Sequence, residues 1–494
     1  MQSTVEIGAP QSQSADGQVL GLRLVKTPAR STAARIRQVI VASEAAADLL
    51  TIVLAVLLSY AIYSYFSLGK QLHYPAHALL GLAFAFAVVM VLMLDRVGAY
   101  RRANSLLRVR ETEQVLHVSA QAFLFALAVS FFSSILFSRW VLVLCLVLVP
   151  LALFLEKSLM YLLIRALHSR GLGLERVLVY GSGGTGRRVF SVLTRSPKLG
   201  LEPVAFVDDD ASKAGSAVFE MGYERRRSAR IVAGPLTSEL IARHAADLVV
   251  VAIPSIARNT FVRTIEEAFK ANARVSFVPS HFVPSDPWVD YQDIDGVLLA
   301  SFGRPARRLA YEVPKRICDL AGSLILLALG SPLFVVIAAL IKLDSKGPVL
   351  FSQERVGRYG KLFRMFKFRT MRTGAQPYDY SPRAAEDPRI TRVGRFLRRT
   401  SLDELPQLLN VVNGSMSLVG PRPEMPFIVQ QYTNRHRQRL QVKPGITGLW
   451  QLSGDREFLI HENVEYDLYY IQHRNFFMDL AILLHTPIFA MRGI

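Results

Sequence analysis

Four long apolar runs, Leu49 to Phe66, Ala76 to Leu94, Val118 to Phe137 and Trp140 to Ile164, fill the first third of this 494-residue sequence. Each is long enough for a helix to cross a hydrocarbon core, which takes about 20 residues. The one charged interruption is Glu156 and Lys157, near the inner end of the fourth run. A buried soluble bundle would instead show polar stripes at helical period along the runs, and none is present. Arg23, Lys26, Arg30, Arg35 and Arg37 precede the first run, and Arg96, Arg101, Arg102, Arg108 and Arg110 fill the second loop. The other two connections hold only Lys70 and Arg139. The basic loops are therefore expected on the cytoplasmic side. Met1 to Gly21 is polar and lacks the apolar region of a cleavable signal peptide, so residues 1–44 are read as a disordered basic tail.

A fifth apolar stretch, Ile317 to Ile341, has Lys315 and Arg316 before it and Lys342 after it. Both flanks carry the cytoplasmic signature. Its centre reads Gly330-Ser331-Pro332, and proline removes a backbone donor and disfavours helical geometry at the residue before it. The expectation is a re-entrant helix-break-helix over 314–342, with Ser331 and Pro332 at the break. A kinked fifth span is the alternative.

Basic and apolar residues are both in excess: Lys and Arg number 58 against 39 Asp and Glu, the formal charge is +19, and 51% of residues are hydrophobic. An anionic leaflet satisfies both excesses. Nucleic acid also attracts such a charge, but no groove-reading motif with aromatic stacking positions occurs, so no nucleic-acid partner is expected. Cys145 and Cys318 lie inside apolar stretches and read as small buried hydrophobes. With no disulfide expected, the soluble parts are placed in the cytoplasm.

From Arg176 to about Leu299 short β-branched runs alternate with helical pattern: Val177 to Tyr180, Pro203 to Val207, Leu248 to Ile253 and Arg274 to Phe277. That is the texture of a parallel α/β unit. The first run leads into Gly181-Ser-Gly183-Gly-Thr-Gly186 and then a helix, the dinucleotide fingerprint in its proper setting, with Asp208 where a ribose ligand would stand. An NAD-type nucleotide is the cofactor such a loop would take. Tyr311 and Lys315, the pair that sugar redox chemistry would use, enclose Pro314 and are not expected to share a helix face. The domain is accordingly read as Rossmann-like and nucleotide-binding or regulatory rather than catalytic. Asp208-Asp209-Asp210 reads as a strand-end loop rather than a metal motif.

Beyond Lys315 the cations become organised. Arg355, Arg358, Lys361 and Arg364 lead to Lys367-Phe-Arg369-Thr-Met, and Arg389, Arg392, Arg395, Arg398 and Arg399 precede Thr400-Ser-Leu-Asp403-Glu404-Leu-Pro406. Cations gathered around two carboxylates suit a diphosphate substrate. Helical pattern resumes at Leu405, Leu408, Leu409 and Val412, and Pro406 is tolerated only in a first turn, so Asp403 and Glu404 are expected at a positive helix end that keeps Asp403 ionised. An ionised aspartate can attack phosphorus, and Mg²⁺ or Mn²⁺ held by Asp403, Glu404 and phosphate oxygens would relieve the repulsion between them. A plain capping box between Ser401 and Glu404 is the structural alternative. Against it stands Gly420-Pro421-Arg422-Pro423-Glu424, which fixes one arginine between two prolines of locked φ.

These motifs carry a resemblance. Lys367-Phe-Arg-Thr-Met371, Ser401-Leu-Asp-Glu-Leu-Pro-Gln407, Met416-Ser-Leu-Val-Gly-Pro-Arg-Pro-Glu424 and Lys443-Pro-Gly-Ile-Thr-Gly448 occur in the order found in bacterial polyprenyl-phosphate hexose-1-phosphate transferases, and the run from about Lys315 to Ile494 resembles their catalytic domain. The resemblance implies that Asp403 attacks a UDP-sugar, UMP leaves, and undecaprenyl phosphate then takes the phosphosugar, with glucose the expected hexose. It implies Glu404 as helper, Arg398 and Arg422 as phosphate ligands with Lys367 and Arg369 beside them, inner-membrane lipids as surroundings, and the Ser331-Pro332 break as the family's re-entrant helix. A homodimer is left open. The apolar run Phe476 to Ile488 is expected along the membrane surface.

The expected layout is thus a membrane protein of α and α/β class. A tail (1–44) precedes a four-helix transmembrane bundle (45–168), a Rossmann-like domain (169–305) and a membrane-associated catalytic domain (306–494). A membrane-tethered nucleotide-sensing regulator or scaffold and a nucleotide-sugar dehydratase are the rival readings.

Overall fold

A computed structural model describes residues 32–69, 74–100, 108–132, 138–195, 200–221, 226–278, 288–294, 297–303, 309–372, 387–452 and 464–490. The tail before Thr32 lies outside the described residues, as do Lys70, Arg101 and Arg102.

The four apolar runs are helices α1 (Thr32–Tyr65), α2 (Ala76–Arg96), α3 (Arg108–Phe132) and α4 (Arg139–Ser169). Leu50, Leu54 and Leu58 on α1 and Val147, Leu151, Leu155 and Leu159 on α4 form exposed apolar stripes at helical spacing. Such stripes need an apolar solvent, which makes this a membrane protein. The tail expected over 1–44 is corrected from Thr32 onward, where α1 has already begun. Its middle supplies partners for a buried cation: Lys157 of α4 donates to Asp48 at 2.7 Å and to Glu44 at 3.3 Å. The Tyr100 hydroxyl also donates to Asp48, at 2.7 Å.

The middle region holds β1 (Glu175–Tyr180), α5 (Gly184–Arg195), β2 (Leu201–Asp208), β3 (Ala217–Met221), β4 (Arg226–Ala233), α6 (Ser238–Arg243), β5 (Leu248–Val251), α7 (Arg258–Lys270) and β6 (Arg274–Phe277). They form one sheet in the order β3-β4-β2-β1-β5-β6. The four anticipated strands are all in it and all parallel, but β3 runs antiparallel to β4, so the sheet is mixed. Chain direction across the sheet reverses between β1 and β5, and the glycine loop sits at that switch point. A hairpin of β7 (Trp288–Ile294) and β8 (Val297–Gly303) follows.

Helix α8 (Leu309–Asp344) spans 36 residues without interruption, so the break expected at Ser331-Pro332 is not a break in the helix. Pro332 has no N–H to give to the carbonyl of Ala328, and the Ser331 hydroxyl donates to that oxygen instead, at 2.8 Å. Tyr311 and Lys315 share a face of α8 despite Pro314, contrary to expectation, and both donate to Asp479, at 2.6 and 2.8 Å. Cys318, expected to be buried, is exposed on α8, and both cysteines are free.

One domain grips both ends of α8. It comprises β9 (Leu350–Val356), β10 (Leu362–Phe368), α9 (Arg392–Arg399), α10 (Gln407–Val412), β11 (Ser417–Val419), α11 (Pro426–Gln430), α12 (Asn434–Arg437), β12 (Gly445–Thr447), α13 (Leu449–Leu452), α14 (Val464–His473) and α15 (Phe476–Ala490). Near the start of α8, Arg316 donates to the carbonyls of Val411 and Val412, and Asp319 accepts from Ser417. Near its end, Ile337 and Ile341 pack on Phe368 and Leu397, and Asp344 accepts from the Val393 amide. Between these grips Ile325, Leu329, Val335 and Val336 are exposed. Helix α15 is more than a surface helix: Met478, Ala481 and Ile482 are buried in the domain core, and its one charge, Asp479, is buried among its donors. It also docks on α3, where His485 meets Thr112 at 2.9 Å and His117 stacks on Phe477.

Candidate functional site

Lys367 is the penultimate residue of strand β10, and period-two alternation sets it on one face of the ribbon with Met365. Asn410 of α10 fixes that ribbon against the acidic pair: its side-chain oxygen accepts from the Phe366 amide at 2.9 Å and its nitrogen donates to the Arg364 carbonyl at 2.7 Å. The turn before α10 is tight. Ser401 has φ of +58°, a costly value for a residue with a Cβ, and Leu402–Glu404 form a single 3-10 turn. Helix α10 itself begins only at Gln407 and has six residues. The expected placement of Asp403 and Glu404 at a helix end is thus corrected; they sit one turn earlier, and side chains supply the positive field.

Glu404 is the more heavily engaged carboxylate. Its Oε1 accepts from Lys367 at 2.7 Å and from Arg422 at 3.1 Å. Ser401 makes no capping bond through its side chain, so the capping-box alternative does not describe this pair. Asp403 is 8% exposed and accepts no hydrogen bond among the described residues; Lys367 lies 3.9 Å from its Oδ2. Arg398 turns toward the same corner from α9 and is anchored by a bond from its Nε to Thr370 at 3.1 Å. Gly394 makes that anchorage possible, because a Cβ there would overlap the Thr370 backbone.

Burial is the main influence on Asp403 and pushes its carboxyl above the ordinary value, with Lys367 opposing and the Glu404 charge adding to the rise. Burial thus opposes the nearby cations, which favour the ionised form of Asp403. Burial acts the same way on Glu404, but Lys367 and Arg422 outweigh it and hold that carboxyl down at about 2. One carboxylate absorbs two cations while its neighbour stays without a donor.

The remaining anticipated residues divide. Arg369 faces away: its guanidinium donates to the Ser345 carbonyl and hydroxyl at the end of α8. Arg392, Arg395 and Arg399 point outward and are exposed, and Arg389 pairs with Asp387 at 2.8 Å, whereas Arg398 turns toward the site. Arg355, noted in the sequence only as one of several cations, is a site residue that motif reasoning missed. It lies beside Arg422, and burial together with that neighbour lowers its guanidinium to about 10. Its position on β9, opposite Phe363 of β10, is a matter of strand register, which spacing alone does not give. A pocket lined by Gly357, Arg422, Glu424, Tyr432 and Arg439 adjoins it. Arg439 is buried, paired with Asp467 at 2.7 Å, and donates to the Arg422 carbonyl at 3.1 Å, which holds that arginine in place.

The glycine loop has the geometry its spacing promised. Gly181 has φ of +104°, and a Cβ on Gly186 would overlap the Gly181 carbonyl, while Gly183 faces open space. Asp208, however, is spent on its own loop. It accepts from the Ser182 amide at 2.8 Å and hydroxyl at 2.5 Å, from the Asp210 amide at 3.0 Å, and from Lys213 at 3.2 Å. Burial would raise its carboxyl, but these bonds bring it down to about 2. Both oxygens are engaged, so the expected role as a free ribose ligand does not describe this arrangement.

Comparison with known proteins finds two families along the chain. Residues 310–493 match the bacterial sugar transferase family, and residues 95–279 match a CoA-binding domain. Undecaprenyl-phosphate galactose phosphotransferase of Salmonella typhimurium is 32% identical over 406 residues, covering 75% of this chain and 78% of the relative. UDP-glucose:undecaprenyl-phosphate glucose-1-phosphate transferase of Caulobacter vibrioides is 42% identical over 192 residues, 37% of this chain and 72% of the relative. Undecaprenyl-phosphate glucose phosphotransferase of Komagataeibacter xylinus is 43% identical over 188 residues, 35% of each chain. The chain belongs to the bacterial polyprenyl-phosphate hexose-1-phosphate transferases, membrane-bound sugar transferases.

Proposed function

We propose that this protein transfers hexose 1-phosphate from a UDP-sugar to undecaprenyl phosphate, the first step in building a polysaccharide repeat, through a phosphosugar carried on Asp403. The observation that carries the reading is the asymmetry of the acidic pair. Glu404 takes Lys367 and Arg422, whereas Asp403 is without a donor in a corner that also holds Arg398, with Arg355 beside Arg422.

In the first half-reaction an Asp403 oxygen forms a bond to the β-phosphorus as the α–β bridging bond breaks, and UMP leaves with that electron pair. In the second, an oxygen of the lipid phosphate bonds to the same phosphorus, and the Asp403 carboxylate departs. Arg398, Arg355 and Arg422 offer bidentate donors to phosphoryl oxygens, and Glu404 keeps Lys367 and Arg422 aligned. With Glu404 already held by two cations, Asp403 is the residue fitted to share Mg²⁺ or Mn²⁺ with substrate phosphates. Such an ion would supply neutralisation of the charge that gathers on the diphosphate.

Glucose is the proposed hexose, on the 43% and 42% identity to two relatives named for glucose. The proposed setting is the bacterial inner membrane, with the catalytic domain cytoplasmic and α8 entering and leaving by one face. Its support is that one domain holds α8 at Arg316 and Asp319 and again at Ile341 and Asp344.

The test measures UMP release in membranes across a panel of UDP-sugars, for the native chain and for Asp403→Asn. Loss of turnover in the variant with a single preferred sugar is expected. Full metal-dependent turnover by Asp403→Asn would sink the nucleophile assignment, and preference for UDP-galactose would replace the hexose.

A further inference from the structure

Helix α9 presents two faces of opposite character. Gly394 and Leu397 are buried, Leu397 in one cluster with Ile337 and Ile341 of α8, and Arg398 leans inward to Thr370. Outward, Arg392, Arg395, Phe396 and Arg399 fall at the spacing that makes a single helical stripe. All four are exposed, Phe396 to 58%, and α9 contains no acidic residue to neutralise them. A phenylalanine set in the middle of three arginines is poorly placed in water and well placed at a boundary between acyl chains and phosphate headgroups. Helix α9 is also fixed to the end of α8, whose exposed apolar side is assigned to lipid. Asp344 caps the start of α9, and the last turn of α8 carries Leu343, 85% exposed, beside exposed Lys342.

We infer that α9 is an interfacial helix whose outer face lies on an anionic leaflet, with Arg392, Arg395 and Arg399 on lipid phosphates and Phe396 sunk among the acyl chains. This rests on the one-face reading of α8. The occupant is a lipid surface rather than a protein, because a phenylalanine among three arginines suits acyl chains beside acidic headgroups, and α9 is fixed to the end of α8 by Leu397 and Asp344. The consequence concerns depth. The same short helix aims Arg398 at Asp403, so the nucleophile is held about one helix diameter, roughly 10 Å, from the headgroup plane where a lipid phosphate presents itself.

The full chain, with Cys145 and Cys318 replaced by alanine and its transferase activity verified, is spin-labelled at Phe396→Cys and reconstituted in vesicles of phosphatidylcholine with phosphatidylglycerol. Labels at Leu329→Cys and Asn434→Cys, exposed positions on α8 and α12, serve as references. The expected result is a label at 396 relaxed more by oxygen than by an aqueous nickel chelate, as at 329 and unlike 434, with chelate access rising several-fold in phosphatidylcholine alone. A label at 396 that matches 434 in anionic vesicles, or that is shielded from both reagents as under a protein partner, overturns the inference and leaves the topology standing. Chelate access at 329 overturns the topology and the inference together. Should Phe396→Cys fail to reach the membrane, Arg395→Cys on the same stripe gives the same reading. As a second measurement, the native chain should be roughly fivefold more active with phosphatidylglycerol than in phosphatidylcholine alone, and Arg392→Gln/Arg395→Gln/Arg399→Gln should lose that gain; a native chain that shows none overturns the inference. An undiminished gain overturns the assignment of the arginines.

Discussion

The Gly181 loop and the Asp403 corner both look, in sequence, like places built for phosphate. In the structure they behave oppositely. Asp208 turns back on its own loop and satisfies its carboxylate with Ser182, Asp210 and Lys213. Asp403 is left without a donor because its neighbour Glu404 takes the nearest cations. What a carboxylate is left to bind is thus set less by the motif around it than by how its neighbours are satisfied.

Several substitutions would break or sharpen that contrast. The largest effect is expected from Asp403→Asn, a loss on the order of 10³-fold in UMP release. Asp208→Asn should leave the same rate within about twofold, a surface-like change as far as the reaction is concerned. Equal losses in the two variants would abolish the distinction. Glu404→Gln removes the negative partner of Lys367 and Arg422 and is expected to cost on the order of 10²-fold. It should also alter stability against pH. Glu404 has a depressed folded value, so its contribution is present above its ordinary 4.5 and fades as pH falls toward about 2. Acid unfolding of the native chain should show that loss and Glu404→Gln should not.

Gly394→Ala comes next, at roughly tenfold in rate, because α9 must shift away from Thr370 and carry Arg398 with it. The smallest effect is expected from Asp208→Ala. By freeing the Ser182 and Asp210 amides it should lower the melting temperature of the middle domain by a few degrees, an effect of about 1–3 kcal/mol, without changing turnover.

Periodicity made much of the architecture legible. The apolar runs became α1 to α4 and α8, and the four β-branched runs became the parallel strands β1, β2, β5 and β6. Helix extent was less legible where polar residues of a helix are met by a distant partner, as Asp48 of α1 is by Lys157. The antiparallel β3 escaped because its pairing with β4 depends on a nearby chain reversal rather than on its own pattern. Within the site, Asp403, Glu404, Lys367, Arg398 and Arg422 could be found from motifs, and the structure brings all five together. Arg355 could not, since strand register sets its approach, and Arg369 was misread, since its side chain serves the end of α8. Net electrostatics was the least readable quantity. The sign at Asp403 depends on burial outweighing several cations, and burial is a property of the assembled fold.

Asn410 does for β10 what a third strand would do. A two-stranded ribbon is marginal alone, and each free edge invites another chain to add to it. By taking the Phe366 amide and giving to the Arg364 carbonyl, one side chain closes that edge with the hydrogen bonds of a neighbouring strand while occupying almost none of its volume.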